Sequence, residues 1–257
     1  MISAAELVRS VHGRLADTLV ATDFDGTLAP IVLDPATSRP VAGAIEALAA
    51  LSAGGAQVAI VTGRDARTVV RLGGLDAVPG VIVAGLYGIE TWQGGELTSP
   101  PTPPTLTTLA GRLPALLAEH HADPKLWVED KRLSLVLHGR RADRPAEALA
   151  PLVAPVQHLA DELGLEMHPG KDVLELRLPG YDKAGALRRL AGDRSVVLFF
   201  GDDVGDLPAF AEIVALRDAG RTAYGVAVAG IDAVTDAADL VVDSPEAAVD
   251  LLTRLGG

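Results

Sequence analysis

Short, unbroken apolar runs alternate with helix-period stretches along most of this chain, and that alternation limits the fold more than any other feature. Thr18–Thr22, Val58–Val61, Val81–Ala84, Val196–Phe200, Ala223–Val228 and Leu240–Val242 read as strands. Helical stretches are expected at about Val41–Leu51, Asp65–Leu72, Asp182–Leu190 and Pro245–Leu255. Strands that are apolar at every position are buried on both faces, as in a parallel sheet covered by helices. The fold class expected is therefore α/β, with a Rossmann-like parallel-sheet core.

The pattern changes in the middle of the sequence. A hairpin is expected over Ile89–Thr98 with Gly94-Gly95 as its turn. Pro100, Pro101, Pro103 and Pro104 then crowd five positions, which neither a helix nor a central strand continues through. Beyond this linker come a helix at about Leu106–His121, strands at Leu126–Glu129 and Leu133–His138 around a turn at Asp130–Arg132, and a helical stretch interrupted by Pro151 and Pro155. Strands at Leu165–His168 and Val173–Leu178 flank Gly170-Lys171, and Leu178-Pro179-Gly180 reads as the return linker. The expected organisation is one core in two sequence pieces, 1–100 and 179–257, with a smaller α+β domain inserted at 101–178.

Composition narrows the function classes. Lys and Arg number 22 against 34 Asp and Glu, a net charge of -12, which repels nucleic acid and anionic membranes. The absence of cysteine excludes a disulfide scaffold, a thiolate zinc site and a cysteine nucleophile. No apolar run reaches the roughly 20 residues of a membrane span. Met1–Asp17 reads as an amphipathic helix and not a signal peptide. The expected partner is a small molecule, without nucleic acid or membrane; the expected location is the cytoplasm, and the expected state a monomer.

Ligands of open parallel sheets bind beyond the carboxyl ends of the strands. Asp23-x-Asp25-Gly26-Thr27, Thr62-Gly63-Arg64 and Gly201-Asp202-Asp203-x-x-Asp206 fall at such ends, and Asp182-Lys183 opens a later helix. An extended Asp23–Asp25 segment would put both carboxylates on one face. Gathered with Asp202, Asp203 and Asp206 they would need a hard divalent cation, Mg²⁺ by preference. Taken alone, each acidic cluster reads more readily as a solvated loop or turn, and it is their joint placement after apolar strands that favours a site. Thr62 is either a helix N-cap or an anion contact beside free backbone N–H groups. Lys183 at a helix start opposes the macrodipole, which points to an anionic partner such as phosphate or the carboxylate cluster.

With these residues in view, the chain resembles the haloacid dehalogenase-like phosphatases. Asp23-Phe24-Asp25-Gly26-Thr27-Leu28, Thr62, Lys183 and Gly201-Asp202-Asp203…Asp206 supply the four motifs in order. Finer features are similar to the trehalose-6-phosphate phosphatase family: Leu28-Ala29-Pro30-Ile31, Val61-Thr62-Gly63-Arg64, Gly88-x-Glu90, Val128-Glu129-x-Lys131, His138-x-Arg140, Val173–Arg177 and Asp182–Leu187. The sequence departs from that family at Tyr87, where a histidine is usual, and at Gly205 and Leu207, where threonine and an acid are usual.

The resemblance implies a Mg²⁺-dependent sugar-phosphate phosphatase acting on trehalose 6-phosphate. Asp23 is implied as nucleophile and Asp25 as general acid and base. The Asp23 carboxylate, the Asp25 carbonyl and Asp202 are implied as metal ligands, with Asp206 and Asp203 behind them. Thr62, Gly63 and Lys183 are implied to bind the phosphoryl group, and Glu129, Lys131, Glu175, Arg64 and His138 the rest of the substrate. The insertion is implied to be a cap that closes over the substrate, hinged at Pro100–Pro104 and Leu178–Gly180. Alternatives are a phosphatase for another glycosyl phosphate, such as a phosphorylated glycosyl-glycerate, a non-catalytic sugar-phosphate-binding domain, and a receiver-like module phosphorylated on Asp23. Glu129 with Lys131 is otherwise an exposed hairpin pair, and His138 with Arg140 a solvent-facing alternation. His120-His121 reads as a helix end, Trp92 and Trp127 as packing residues, and Arg188-Arg189 as a solvated helix face.

Overall fold

A computed structural model describes residues 1–170 and 172–257 and separates them into two units, Met1–Ser99 with Tyr181–Gly257, and Pro100–Gly180. In chain order the first unit begins with α1 (Ala4–Val11), β1 (Thr18–Thr22), α2 (Ala44–Ala53), β2 (Gln57–Val61), α3 (Ala66–Gly73), β3 (Ile82–Gly85), β4 (Glu90–Gln93) and β5 (Glu96–Thr98). The inserted unit holds α4 (Pro104–Glu119), β6 (Trp127–Asp130), β7 (Ser134–His138), α5 (Pro145–Glu162), β8 (Glu166–Gly170) and β9 (Val173–Arg177). The first unit resumes with α6 (Lys183–Ala191), β10 (Val196–Gly201), α7 (Leu207–Asp218), β11 (Thr222–Val228), α8 (Asp232–Ala237), β12 (Leu240–Val242) and α9 (Pro245–Gly256).

The first unit is built on an eight-stranded sheet in the order β12-β11-β10-β1-β2-β3-β4-β5. Strands β12 through β3 are parallel, and the β4–β5 hairpin adds an antiparallel edge. Alternate residues of β1 enter opposite cores. Val20 packs with Leu48, Leu51, Leu198 and Leu252 on one face, and Leu19 and Ala21 pack with Leu187, Phe199 and Phe210 on the other. Burial on both faces accounts for the unbroken apolar runs.

The inserted unit is a four-stranded antiparallel sheet, β6-β7-β9-β8, with α4 and α5 packed on one face. Leu135, Leu137, Leu174 and Leu176 point into that apolar core. The intervening residues Ser134, Val136, His138, Glu175 and Arg177 occupy the opposite face by strand alternation.

Several expectations are corrected. The N-terminal helix is shorter than Met1–Asp17: α1 ends at Val11, Gly13 takes φ of 73°, and only a single turn of 3-10 helix, Leu15–Asp17, follows. The helix after the proline-rich segment starts two residues earlier than expected, because Pro104 opens α4 at a position whose N–H needs no partner. Pro151 and Pro155 do not interrupt α5, which runs unbroken from Pro145 to Glu162. Arg188 and Arg189 are not merely solvated: Arg188 clamps the buried Glu212 of α7, and Arg189 donates to the Gly88 carbonyl at 2.9 Å. Lys171 lies outside the described residues.

Candidate active site

β1 lies at the centre of the large sheet, between β10 and β2, so its carboxyl end opens at the middle of the sheet edge. Asp23 N donates to Phe200 O at 2.8 Å, extending the β1–β10 pairing by one residue before the chain turns away. The turn is tight. Leu28 N and Ala29 N both donate to Phe24 O, and Gly26 takes φ of 81°. A Cβ on Gly26 would lie 2.0 Å from Asp202 Oδ2, so the glycine is what lets the Asp202 carboxylate reach this loop.

Carboxylate oxygens of Asp23, Asp202 and Asp206 lie within 4.8 Å of one another. Lys183 Nζ stands 3.0 Å from Asp23 Oδ2 and 2.6 Å from Asp206 Oδ1. The other Asp206 oxygen accepts from Asp202 N at 2.9 Å and Asp203 N at 3.2 Å. Asp206 therefore shapes the loop and anchors Lys183. Thr27 Oγ1 donates to Asp202 Oδ1 at 3.0 Å.

Electrostatically the pocket is short of positive charge. Burial, with Asp206 and Asp202 adding to it and Lys183 opposing, pushes Asp23 well above the usual carboxylate range. Burial, then Asp206 and Asp203, pushes Asp202 up to about 7. Burial works against the Lys183 ammonium, but Asp23, Asp206 and Asp203 together outweigh it and raise its pKa. The Asp23–Lys183 pair thus pulls two ways: a charged lysine favours an ionised partner, while a buried aspartate favours a proton. Lys183 is the one that stays charged, because several carboxylates surround a single ammonium. The donors are hard carboxylate oxygens with uncompensated negative charge, a set that fits a divalent cation such as Mg²⁺ or Ca²⁺.

Asp25 does not share this cluster, contrary to the expectation for an extended segment. β1 stops at Thr22, and the Asp25 side chain meets Arg64 and Ser38 instead. Thr62 is buried at the end of β2, and its hydroxyl accepts from Arg64 N at 3.1 Å. It is not the cap of α3, a role taken by Asp65. Gly63 is half-buried, and a Cβ there would come within 2.8 Å of Tyr87 Oη. Leu86 and Tyr87 adopt φ of 48° and 59°, with Tyr87 N donating to Thr62 O at 2.9 Å. The residue that departs from the family pattern thus packs on the Thr62-Gly63 segment.

In the inserted unit, Glu129 pairs with His138 and Lys131 with Glu175. His138 is buried, and its Nε2 lies 2.9 Å from Glu129 Oε2, which makes Nε2 the donor nitrogen. Burial pushes the His138 pKa down, and the Glu129 carboxylate opposes that shift. The solvent-facing reading of His138 is therefore corrected. Ser134 Oγ donates to Glu175 Oε1 at 2.9 Å, and Lys131 Nζ is 3.7 Å from the same oxygen. The Trp127 ring stacks on His138 at 3.9 Å between centroids and carries Arg141 at 4.8 Å.

Thr27, Ser38, Ser134 and Tyr87 were not read as site residues from sequence. Thr27 belongs to the Asp23–Leu28 motif and Tyr87 stands where the family pattern has histidine, which are the signals that point to them. Ser38 and Ser134 carry no signal of their own, since a lone serine has no spacing to read.

A family profile described as Trehalose-phosphatase matches residues 21–239. A trehalose-phosphate phosphatase of Mycobacterium avium is 36% identical over 200 residues, covering 73% of this chain and 49% of that protein. The chain thus spans about half the length of the curated relatives it matches. Among solved structures, the C-terminal domain of C. albicans trehalose-6-phosphate phosphatase superposes with a TM-score of 0.81 at 22% identity, covering 100% of this chain and 97% of that one. A trehalose-6-phosphate phosphatase related protein gives a TM-score of 0.70 at 24% identity, covering 93% and 96%. A haloacid dehalogenase-like hydrolase from Bacteroides thetaiotaomicron shares the same fold, with a TM-score of 0.69 at 17% identity, covering 92% of this chain and 98% of that one.

Proposed function

The chain belongs to the trehalose-phosphatase family, and from that premise we propose that it hydrolyses trehalose 6-phosphate to trehalose and inorganic phosphate. The observation that carries the proposal is the meeting of Asp23, Asp202, Asp206 and Lys183 at one strand-end pocket.

An Asp23 carboxylate oxygen would attack phosphorus in line. The bond from Asp23 to phosphorus forms as the bond to the sugar oxygen breaks, and Asp25 gives its proton to that departing oxygen. Water would then attack the same phosphorus and pass a proton to Asp25. The aspartyl-phosphate bond breaks, Asp23 returns as a carboxylate, and phosphate leaves.

Lys183 would offset charge on the phosphoryl oxygens, and the Thr62 hydroxyl and the Gly63 N–H would donate to them. Asp23, Asp202 and the Asp25 main-chain carbonyl would hold the cation, with Asp206 fixing the loop that carries Asp202. When bound, Mg²⁺ would neutralise the acidic pocket and polarise the phosphoryl group. In the inserted unit, Glu129, Lys131 and Glu175 would hydrogen-bond sugar hydroxyls, each capable of charge-assisted contacts. His138 would keep the Glu129 carboxylate in place.

The test is phosphate release from trehalose 6-phosphate and a panel of hexose phosphates, with Mg²⁺ and with EDTA. Mg²⁺-dependent release that favours trehalose 6-phosphate is expected. Binding without turnover in saturating Mg²⁺ would favour a purely regulatory domain.

A further inference from the structure

Sequence similarity places Arg64 among the residues expected to touch substrate, but its geometry assigns it elsewhere. Arg64 Nε donates to Asp25 Oδ2 at 2.5 Å and Nη2 donates to Oδ1 at 2.7 Å. Ser38 Oγ adds a third hydrogen bond to Oδ1 at 2.9 Å. The guanidinium is braced in turn, since Nη1 donates to the Pro35 carbonyl at 2.8 Å. Its backbone is pinned on both sides. Arg64 N donates to Thr62 Oγ1 at 3.1 Å, and Leu86 N donates to Arg64 O at 2.8 Å. Ser38 is itself fully buried, and its carbonyl accepts from Arg39 Nη1 at 2.7 Å.

A planar guanidinium fork fixes both the distance and the plane of the carboxylate it holds, which a lysine does not. Every nitrogen of the Arg64 guanidinium has a partner in the first unit, which leaves this side chain poorly suited to reading a sugar. We propose that Arg64, with Ser38, is a positioning residue for Asp25: it sets where the Asp25 carboxyl stands for proton transfer and acts on the reaction through Asp25. The inference rests on the assignment of Asp25 as the proton donor and acceptor in the proposed reaction.

Two substrates separate the possibilities. Trehalose 6-phosphate has an alkoxide leaving group that needs a proton, whereas 4-nitrophenyl phosphate releases a phenolate that does not. For Arg64→Ala, single-turnover release of trehalose from trehalose 6-phosphate should slow about tenfold or more with KM held within about threefold, and the burst of 4-nitrophenolate from 4-nitrophenyl phosphate should change less than about threefold, while steady-state kcat falls on both because water attack on the aspartyl-phosphate also needs Asp25. Arg64→Lys keeps the charge but loses the fork, and should show the same split. Ser38→Ala should show it more weakly. Thermal melts of all three check that the fold is kept. An increase in KM of about tenfold with kcat retained would make Arg64 a sugar contact. Full rescue by Arg64→Lys, or equal slowing of leaving-group release from both substrates, would make it a phosphoryl contact. Each of these results overturns the inference. No turnover of either phosphate by the wild-type protein would instead overturn the phosphatase reading beneath it.

Discussion

Gly26 shows how one residue can decide the geometry of the acidic pocket. Its φ of 81° is one that a side chain resists, and an added Cβ would sit 2.0 Å from Asp202 Oδ2. Gly26→Ala should therefore cost about 1–3 kcal/mol in backbone strain and lower Tm by about 2–10 °C. It should also raise the Mg²⁺ concentration needed for half-maximal activity by about tenfold or more, because Asp202 must move. An unchanged metal requirement would show that Asp202 does not hold the cation. Lys183 illustrates the limits of reading single residues. Its position against the helix dipole pointed to an anionic partner, and the carboxylates of Asp23 and Asp206 are at hydrogen-bond distance. Nothing in the sequence separates those carboxylates from a phosphate as the anion that Lys183 serves.

The strands were legible because their two faces face two apolar cores. The β9 sequence, Val-Leu-Glu-Leu-Arg, alternates and so announces one polar and one apolar face, and Glu175 sits on the polar one. Glu175→Gln should raise KM for trehalose 6-phosphate about tenfold or more with kcat held within about threefold, since a charge-assisted hydrogen bond is lost outside the reacting centre. A loss confined to kcat would remove Glu175 from sugar binding. α5 was misread for a physical reason. Pro151 and Glu147, four residues back, are both exposed, so water can replace the hydrogen bond that proline cannot make. Leu149, Leu152, Val156 and Leu159 meanwhile bury one continuous face, and tertiary packing outweighs the local penalty. The Asp23–Asp25 relation was misread because strand alternation was extended past Thr22, where the Gly26 turn had already begun. The Asp25–Arg64–Ser38 contact was out of reach, since it joins three segments whose separations carry no periodicity.

In the molecule as a whole acid exceeds base by 34 to 22, and at this pocket three carboxylates, Asp23, Asp202 and Asp206, face the one ammonium of Lys183. Asp202, raised to about 7 by burial and then by neighbouring carboxylates, binds its proton more tightly in the folded than in the unfolded chain. Its protonation therefore favours the fold at low pH, and that contribution is lost as pH rises from the ordinary carboxylate range through about 7. In EDTA the protein should melt at a lower temperature at pH 8 than at pH 6. Mg²⁺ should raise Tm more at pH 8, where the carboxylates are ionised and the cation neutralises them. An identical Mg²⁺ effect at both pH values would contradict the charge assignment. Among the described residues, no helix is long and apolar enough to cross a membrane.

The assignment of Asp23 as the attacking group is tested most directly by comparing phosphate release from trehalose 6-phosphate by the wild-type protein and by Asp23→Asn, in saturating Mg²⁺. The expected result is a loss in kcat of about a thousandfold or more with the variant still folded. Near-wild-type release by Asp23→Asn would contradict the assignment.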